Sequence, residues 1–130
     1  MKKSILFIWM MFFGMFLSID LVSSINVSYT GEASWYAEFS PGILKTTANM
    51  EIFDHDKMTC AMWDVPFNTM LKVTNLQNNK KIIVRVNDRG PAKRLYSKGR
   101  IIDLTKAAFA QIADLDKGLT KVRVEIVGKA

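Results

Sequence analysis

The chain has 130 residues, with 18 Lys plus Arg against 12 Asp plus Glu and a formal net charge of +6. This length suits one domain and leaves no room for a second globular unit. Hydrophobic residues make up 49% and charged residues 23%, a composition that excludes a disordered or collagen-like chain. The single Cys and single His exclude a disulfide framework and a zinc site built on His and Cys ligands.

The first 24 residues have the pattern of a secretory signal peptide. Lys2 and Lys3 precede an uncharged, strongly apolar run over residues 4–17, which is too short to span a bilayer comfortably. Small residues at the end of the segment favour cleavage after Ser24, and an uncleaved membrane anchor is the alternative. Because no Cys lies near the junction, we expect an exported, periplasmic or cell-envelope protein that is not a lipoprotein.

Cleavage would leave residues 25–130 as the folded domain and lower the net charge from +6 to +5, because Lys2, Lys3 and Asp20 are removed. A positive charge favours contact with anionic polymers or surfaces. An exported protein rarely meets nucleic acid, and the basic residues are not interleaved with aromatic ones, so we expect no nucleic-acid partner. A solvated basic face and an acidic cell-wall glycan remain the two interpretations.

Most of the region that follows the signal segment predicts short β-strands. Apolar and polar residues alternate over residues 31–37, 71–75, 81–86 and 120–127. The pair Asn78-Asn79 can adopt the positive φ of a tight hairpin turn. One helix is predicted over residues 105–115, with Thr105 as its N-cap. These elements indicate a mainly β fold, a compact barrel with one small helix.

Polar residues cluster where the predicted strands end. Asn87-Asp88-Arg89-Gly90-Pro91 follows directly on a strand, and Thr47-Ala48-Asn49-Met50-Glu51 follows the turn-prone Pro41-Gly42. Asp103 stands inside an apolar run just before the helix. We therefore predict that Asp88 and Arg89 lie at the rim of the barrel, where loops carry binding and catalytic residues.

Four segments resemble, in order, the motifs of the rare lipoprotein A family: Gly31 to Tyr36, Thr47 to Glu51, Asn87 to Pro91, and Ile102 to Thr105. The resemblance runs from about Gly31 to Val127. It implies a six-stranded double-psi β-barrel with one or two short helices, a fold that expansins and barwin-like wall proteins share. It also implies a lytic transglycosylase that cuts peptidoglycan glycan strands.

Carried over residue by residue, the family's Glu falls on Glu51 and its Asp on Asp88, which implies that these two are catalytic. The chain departs from the family at two positions. Met62 stands where the family has a His, and the lone His55 does not restore that motif. Met50 stands where the family usually has Gly, so we expect strain in the turn that presents Glu51.

The implied reaction needs no cofactor and no metal ion. An acid protonates the glycosidic oxygen at C1 of N-acetylmuramic acid, and the C6 hydroxyl of that sugar attacks C1 to close a 1,6-anhydro ring. We expect Asp88 to act as acid and then as base. Glu51, across the cleft, would stabilise positive charge on the sugar ring or share the proton transfer.

Six further residues are predicted to bind the substrate: Trp35, Tyr36, Asn49, Asn87, Arg89 and Asp103. Trp35 and Tyr36 alternate across one strand, so one should pack in the core while the other offers a face for sugar stacking. For Arg89 and Asp103, a structural ion pair or a turn anchor is the alternative.

Two functions remain open. The first is an endolytic peptidoglycan transglycosylase that cleaves strands of N-acetylmuramic acid and N-acetylglucosamine, and the retained Glu51 and Asp88 favour it. The second is a non-catalytic, expansin-like module that grips wall glycan in the same groove, and Met62 favours this one. We predict the enzyme, acting as a monomer, with loose membrane association if the N-terminal segment is not cleaved.

Overall fold

The computed structural model describes residues 27–130, so the predicted signal peptide over residues 1–24 lies outside the described residues. The strands are β1 (Ser28–Tyr36), β2 (Thr59–Ala61), β3 (Thr69–Asn75), β4 (Lys81–Asp88), β5 (Arg100–Thr105) and β6 (Thr120–Lys129). The helices are α1 (Lys93–Tyr96) and α2 (Lys106–Ile112), followed by a 3-10 turn, Leu115–Lys117. Within the described range no helix is long and apolar enough to cross a membrane.

The six strands form a closed barrel in the order β1-β5-β2-β4-β3-β6. The pairs β1–β5 and β2–β4 are parallel, whereas β2–β5, β3–β4, β3–β6 and β6–β1 are antiparallel. The prediction of a mainly β, six-stranded barrel with one or two short helices is confirmed.

Each predicted alternating run lies in a strand, apart from Ala37, which follows the end of β1, and the hairpin turn has Asn79 at a φ of 61°. Two strands were not predicted: β2 has only three residues, too few to show alternation, and in β5 the adjacent Ile101 and Ile102 break the alternation. The predicted helix begins correctly: the Thr105 hydroxyl accepts a hydrogen bond from the Ala108 N–H at 3.3 Å. It ends three residues earlier than predicted, at Ile112, because Ala113 is extended.

The main hydrophobic core fills the barrel and is closed at one side by α2. Inward-facing Val, Leu and Ile side chains from the strands pack on Phe109, which is fully buried. Burying such a side chain stabilises the fold by about 1.5–3 kcal/mol. Cys60 belongs to this core as a free, buried thiol.

A second, smaller cluster of buried residues consists of Tyr36, Phe53 and Ala61, with Ile43 packed against it. The Tyr36 and Phe53 rings stack with centroids 4.6 Å apart and planes 10° from parallel. Phe53 comes from the connection between β1 and β2, so this stack holds the connection against the barrel wall.

A β-bulge near the end of β4 decides where Asp88 points. Cys60 of β2 pairs with Val86, but the next residue, Ala61, pairs with Asp88, so Asn87 is the extra residue. An extra residue reverses the alternation of side chains beyond it. Asp88 therefore shares a face with Ala61 instead of joining Val86 in the main core.

Candidate active site

The Asp88 carboxylate, on the last residue of β4, accepts three hydrogen bonds. Its Oδ1 accepts from the backbone N–H groups of Ala48 and Arg89, both at 2.9 Å, and its Oδ2 accepts from the Tyr36 hydroxyl at 3.2 Å. The prediction that Asp88 follows the strand is wrong by two residues, since β4 continues through Asn87 and Asp88. These donors fix the carboxylate at the strand end.

Asp88 and Asp103 lie on β4 and β5, the two strands that flank β2. Ala61 of β2 pairs with Asp88 on one side and with Asp103 on the other. Ser34 faces Asp103 from β1, and its hydroxyl donates to Asp103 Oδ1. Burial raises the pKa of Asp103 above its usual range; the Ser34 hydrogen bond opposes that shift, while the nearby Asp88 charge adds to it. The proposed ion pair with Arg89 is absent among the described contacts.

Glu51 lies in a different electrostatic environment. Arg85 of β4 forms two hydrogen bonds with it, Nη1 to Oε2 and Nη2 to Oε1, each 2.7 Å. These bonds, more than those from Asn49 and Asn87, lower the pKa of Glu51 to about 2. Glu51 is therefore a fixed anion at neutral pH, which disfavours its predicted share in proton transfer.

The two aromatic residues predicted to stack on sugar are both occupied within the protein. Tyr36 is only 7% exposed and stacks on Phe53, and burial followed by the Asp88 charge raises the pKa of its hydroxyl. Trp35 lies on the opposite face of β1, packed against the main core, with its indole N–H donating to the Leu115 carbonyl at 3.0 Å. The Tyr36 ring therefore offers no face for sugar stacking, whereas Trp35 is only partly buried, so its role in stacking stays a prediction.

The predicted amide residues support Glu51. The Nδ2 group of Asn49 donates to Glu51 Oε2, and that of Asn87 donates to Oε1 at 3.4 Å. Asn87 is buried, and its Oδ1 has no hydrogen-bond partner among residues 27–130. Both amide groups therefore donate to the Glu51 carboxylate of the protein itself.

Arg89 acts as an anchor. Its Nη1 group donates to the carbonyls of Met62, at 2.8 Å, and Val65, at 2.7 Å, and its guanidinium lies 3.9 Å from the centre of the Phe67 ring. The alternative of a turn anchor thus describes Arg89 better than an ion pair with Asp103.

Met62 does not face the carboxylates. Its side chain is 3% exposed and belongs to the main core with Cys60, on the face opposite Ala61. Only its backbone reaches the site, where its N–H donates to the Asp88 carbonyl at 3.1 Å. An imidazole at this position would lie in the apolar core, away from the carboxylates.

A surface cavity of about 410 Å³ opens beside Asp88. It is lined by Asp88, Arg89 and the loop before β2, with contributions from Gly42, Ile43, Leu44, Thr46, Thr47, Ala48 and Met50. Leu44 and Met50 are 75% and 80% exposed, so apolar surface lies next to a carboxylate in this groove. Such a surface suits a sugar ring, which has apolar faces and polar edges.

Sequence reasoning missed Arg85, Ser34 and Trp63. Alternation along β4 could have placed Arg85 on the same face as Asn87, away from Val84 and Val86. The indole N–H of Trp63 donates to the Pro91 carbonyl at 2.6 Å. With Lys93 and Tyr96 it lines a smaller cavity of about 190 Å³.

Comparison with known sequences gives consistent relatives. Residues 28–124 match the lytic transglycolase family. The endolytic peptidoglycan transglycosylase RlpA of Campylobacter jejuni is 43% identical over 107 residues, which cover 82% of this chain and 37% of that protein. Its namesake in Vibrio cholerae is 44% identical over 98 residues, covering 75% of this chain and 35% of that protein. The chain thus spans little more than a third of the length of these relatives.

Two solved structures share the fold. The Streptomyces papain inhibitor superposes with a TM-score of 0.59 at 24% identity, covering 80% of this chain and 98% of its own. An expansin from Clavibacter michiganensis superposes with a TM-score of 0.59 at 18% identity, covering 78% of this chain and 50% of its own. These likenesses confirm the double-psi β-barrel. Because residues 28–124 match the family model and the sequence is 43–44% identical to these RlpA proteins, the chain belongs to the lytic transglycolase family, among the relatives of rare lipoprotein A.

Proposed function

We propose that the protein is an endolytic peptidoglycan transglycosylase that cleaves glycan strands between N-acetylmuramic acid and N-acetylglucosamine. The observation that carries this proposal is a pair of carboxyl groups on either side of Ala61: Asp88, held by three hydrogen bonds, and Asp103, half-buried beside the Ser34 hydroxyl. Two carboxyl groups that flank one strand can divide the acid and base roles of such a reaction. The names of the relatives support the same reaction.

In this proposal Asp103 is the proton donor. Burial raises its pKa, so the carboxyl group keeps its proton to a higher pH than an exposed Asp does. It transfers that proton to the glycosidic oxygen as the bond from C1 of the muramic acid breaks, and the leaving sugar departs as an alcohol. This assignment moves the acid role from Asp88, where the sequence placed it, to a residue predicted only to bind substrate.

Asp88 then serves as the base. Its carboxylate accepts the proton of the C6 hydroxyl while that oxygen bonds to C1, which closes the 1,6-anhydro ring without a water molecule. Tyr36 and the Ala48 N–H donate to the carboxylate and keep it oriented toward the cavity. A proton transfer from Asp88 back to Asp103 through solvent completes the cycle.

The cavity beside Asp88 would hold one side of the cleaved bond, and the cleft of Trp63 and Tyr96 the other. An endolytic enzyme must bind sugars on both sides of the bond that it cuts. Tyr96 is 39% exposed and Lys93 lies 5.2 Å from the centre of the Trp63 ring, so this cleft combines aromatic surface with a cation. Export to the cell envelope, as the N-terminal segment suggests, would bring the protein to this substrate.

Incubation of the protein with purified peptidoglycan, followed by mass spectrometry of the released fragments, tests the function. We expect fragments that end in 1,6-anhydromuramic acid, because ring closure is the outcome of the mechanism. Reducing-end fragments would indicate hydrolysis and contradict it. Release of no fragments, with co-sedimentation of the protein on insoluble wall, would favour the expansin-like binding module instead.

A further inference from the structure

Arg85 has no role in the proposed proton transfers, yet it forms the shortest ion pair of the site. Both prongs of its guanidinium contact Glu51, with each N–O distance 2.7 Å. Its Nη1 group also donates to Asn68 Oδ1 at 3.0 Å. A two-pronged pair between guanidinium and carboxylate fixes both position and orientation, which a single contact does not.

The hydrogen-bonding capacity of Glu51 is used within the protein. Each of its carboxylate oxygens accepts one bond from Arg85 and one from an amide side chain, Asn49 at Oε2 and Asn87 at Oε1. A carboxylate has about four lone-pair sites, so no site is left for a sugar hydroxyl. The geometry therefore assigns Glu51 to the framework of the site.

That framework is the short hairpin loop over residues 46–52, which Thr46 and Ile52 close with a β-bridge. The loop lies against the end of β4, where the Asn49 N–H donates to the Asn87 carbonyl at 3.3 Å. One residue earlier, the Ala48 N–H donates to Asp88 Oδ1 at 2.9 Å. The position of this loop therefore determines one of the bonds that hold the Asp88 carboxylate.

We propose that Arg85 and Glu51 are positioning residues: their ion pair holds the 46–52 loop against β4 so that the Ala48 N–H orients Asp88. The inference rests on the proposed function, because it takes Asp88 to act on the glycan. It differs from the role that the family resemblance implies for Glu51, which is catalytic. The loop needs such an anchor, since Met50 within it has a φ of 71° and an 80% exposed side chain.

The test compares four variants of the full chain for their rates of anhydromuramic acid release: Arg85→Met, Arg85→Lys, Glu51→Gln and the double variant Arg85→Met/Glu51→Gln. Lys72→Met is the matched control, because Lys72 forms a 3.7 Å ion pair with Glu125 on the far wall of the barrel. Thermal unfolding of every variant shows whether a loss of rate reflects a loss of fold.

We expect Arg85→Met and Glu51→Gln each to lower kcat by roughly 10- to 100-fold with a smaller change in KM, because misplacing a reactive group costs rate. The double variant should be no slower than the slower single one, since both changes remove the same link. Arg85→Lys should recover part of the rate through one remaining contact, and Lys72→Met should keep the wild-type rate. Wild-type kcat in Arg85→Met, or losses that multiply in the double variant, would overturn the inference.

Hydrogen exchange of backbone amides, followed by NMR, supplies a readout that does not depend on catalysis. In Arg85→Met the Ala48 amide should exchange faster, while the Leu76 amide, bonded to the Lys121 carbonyl at 2.9 Å, should be unchanged. Unchanged protection of Ala48 would contradict the inference. If the wild-type protein released no anhydro product, the proposed function would fail, and exchange at Ala48 would still show whether Arg85 holds the loop.

Discussion

Glu51 and Asp103 are both acids of the same site, yet their surroundings give them opposite properties. Glu51 has a 37% exposed side chain and two bonds from Arg85, which lower its pKa to about 2. Asp103 is half-buried, its bonding partner is the neutral Ser34 hydroxyl, and burial raises its pKa. The comparison teaches that the environment of a carboxyl group can separate two acids that a motif treats alike, which is why the proposed reaction gives the acid role to Asp103 and not to Glu51.

Replacing Asp103 by Asn should have the largest effect. The amide keeps the shape and can accept the Ser34 hydrogen bond, but it cannot donate a proton to the leaving oxygen. We expect release of anhydro product to fall by about 10²- to 10⁴-fold. Cutting at the wild-type rate would break the comparison and return the acid role to Asp88.

At neutral pH, Asp103→Asn should also be more stable than the wild-type protein. A raised pKa means that the folded state binds the proton more tightly than the unfolded state, so folding loses stability as pH rises through the pKa of Asp103. Asn removes that loss. Thermal unfolding at pH 4 and at pH 7 should show a larger stabilisation at pH 7, and a destabilisation at pH 7 would show that Asp103 is not penalised by burial.

The Met62→His substitution tests whether an imidazole at position 62 can take part in catalysis. The side chain at position 62 lies in the main core, so the polar ring would lack partners there. We expect a loss of about 2 kcal/mol or more in the free energy of unfolding and no gain in cutting at any pH. Denaturant unfolding and the product assay measure the two effects, and a pH-dependent gain in activity would contradict the core placement.

Met50→Gly tests the strain in the turn that carries Glu51. Met50 has a φ of 71°, as the expected strain requires, and a left-handed conformation costs a side-chain-bearing residue roughly 1–2 kcal/mol. Part of the gain is lost to the greater flexibility of Gly in the unfolded chain. A net stabilisation of about 1 kcal/mol, or a rise of a few degrees in Tm, is expected; a lower Tm would show that the Met50 side chain contributes contacts.

Glu51→Gln should have the smallest effect on stability, with the opposite pH dependence to Asp103→Asn. The depressed pKa means that the ionised form stabilises the fold above the ordinary pKa of 4.5, and this stability is lost as pH falls toward 2. Because the pair is partly exposed, the cost at pH 7 should be about 1 kcal/mol or less. The difference in unfolding free energy between the variant and the wild type should be smaller at pH 3 than at pH 7. An equal difference at both pH values would show that Glu51 stabilises the fold through packing and not through its charge.

Alternation of apolar and polar residues was sufficient to predict four of the six strands and a compact β-barrel, because each of those strands has one face in the core. It could not place Asp88, since the bulge at Asn87 reverses the alternation and turns the carboxylate away from the core. It also could not foresee that Phe53, 17 residues further along the chain, would cover Tyr36. The alternation along a strand indicates which of its side chains are buried. Contacts between a loop and the barrel wall depend on the tertiary fold, which alternation does not describe.

Closure of the barrel has a consequence for how this protein meets other molecules. Each of the six strands has a hydrogen-bonded neighbour on both sides. Among residues 27–130, an extended peptide therefore finds no strand with a whole side unpaired, and neither does a second copy of this barrel. Other molecules must therefore be recognised by side chains and loops. Self-association by strand exchange first requires the barrel to open. The same closure that presents the carboxylates thus protects the protein from edge-to-edge aggregation.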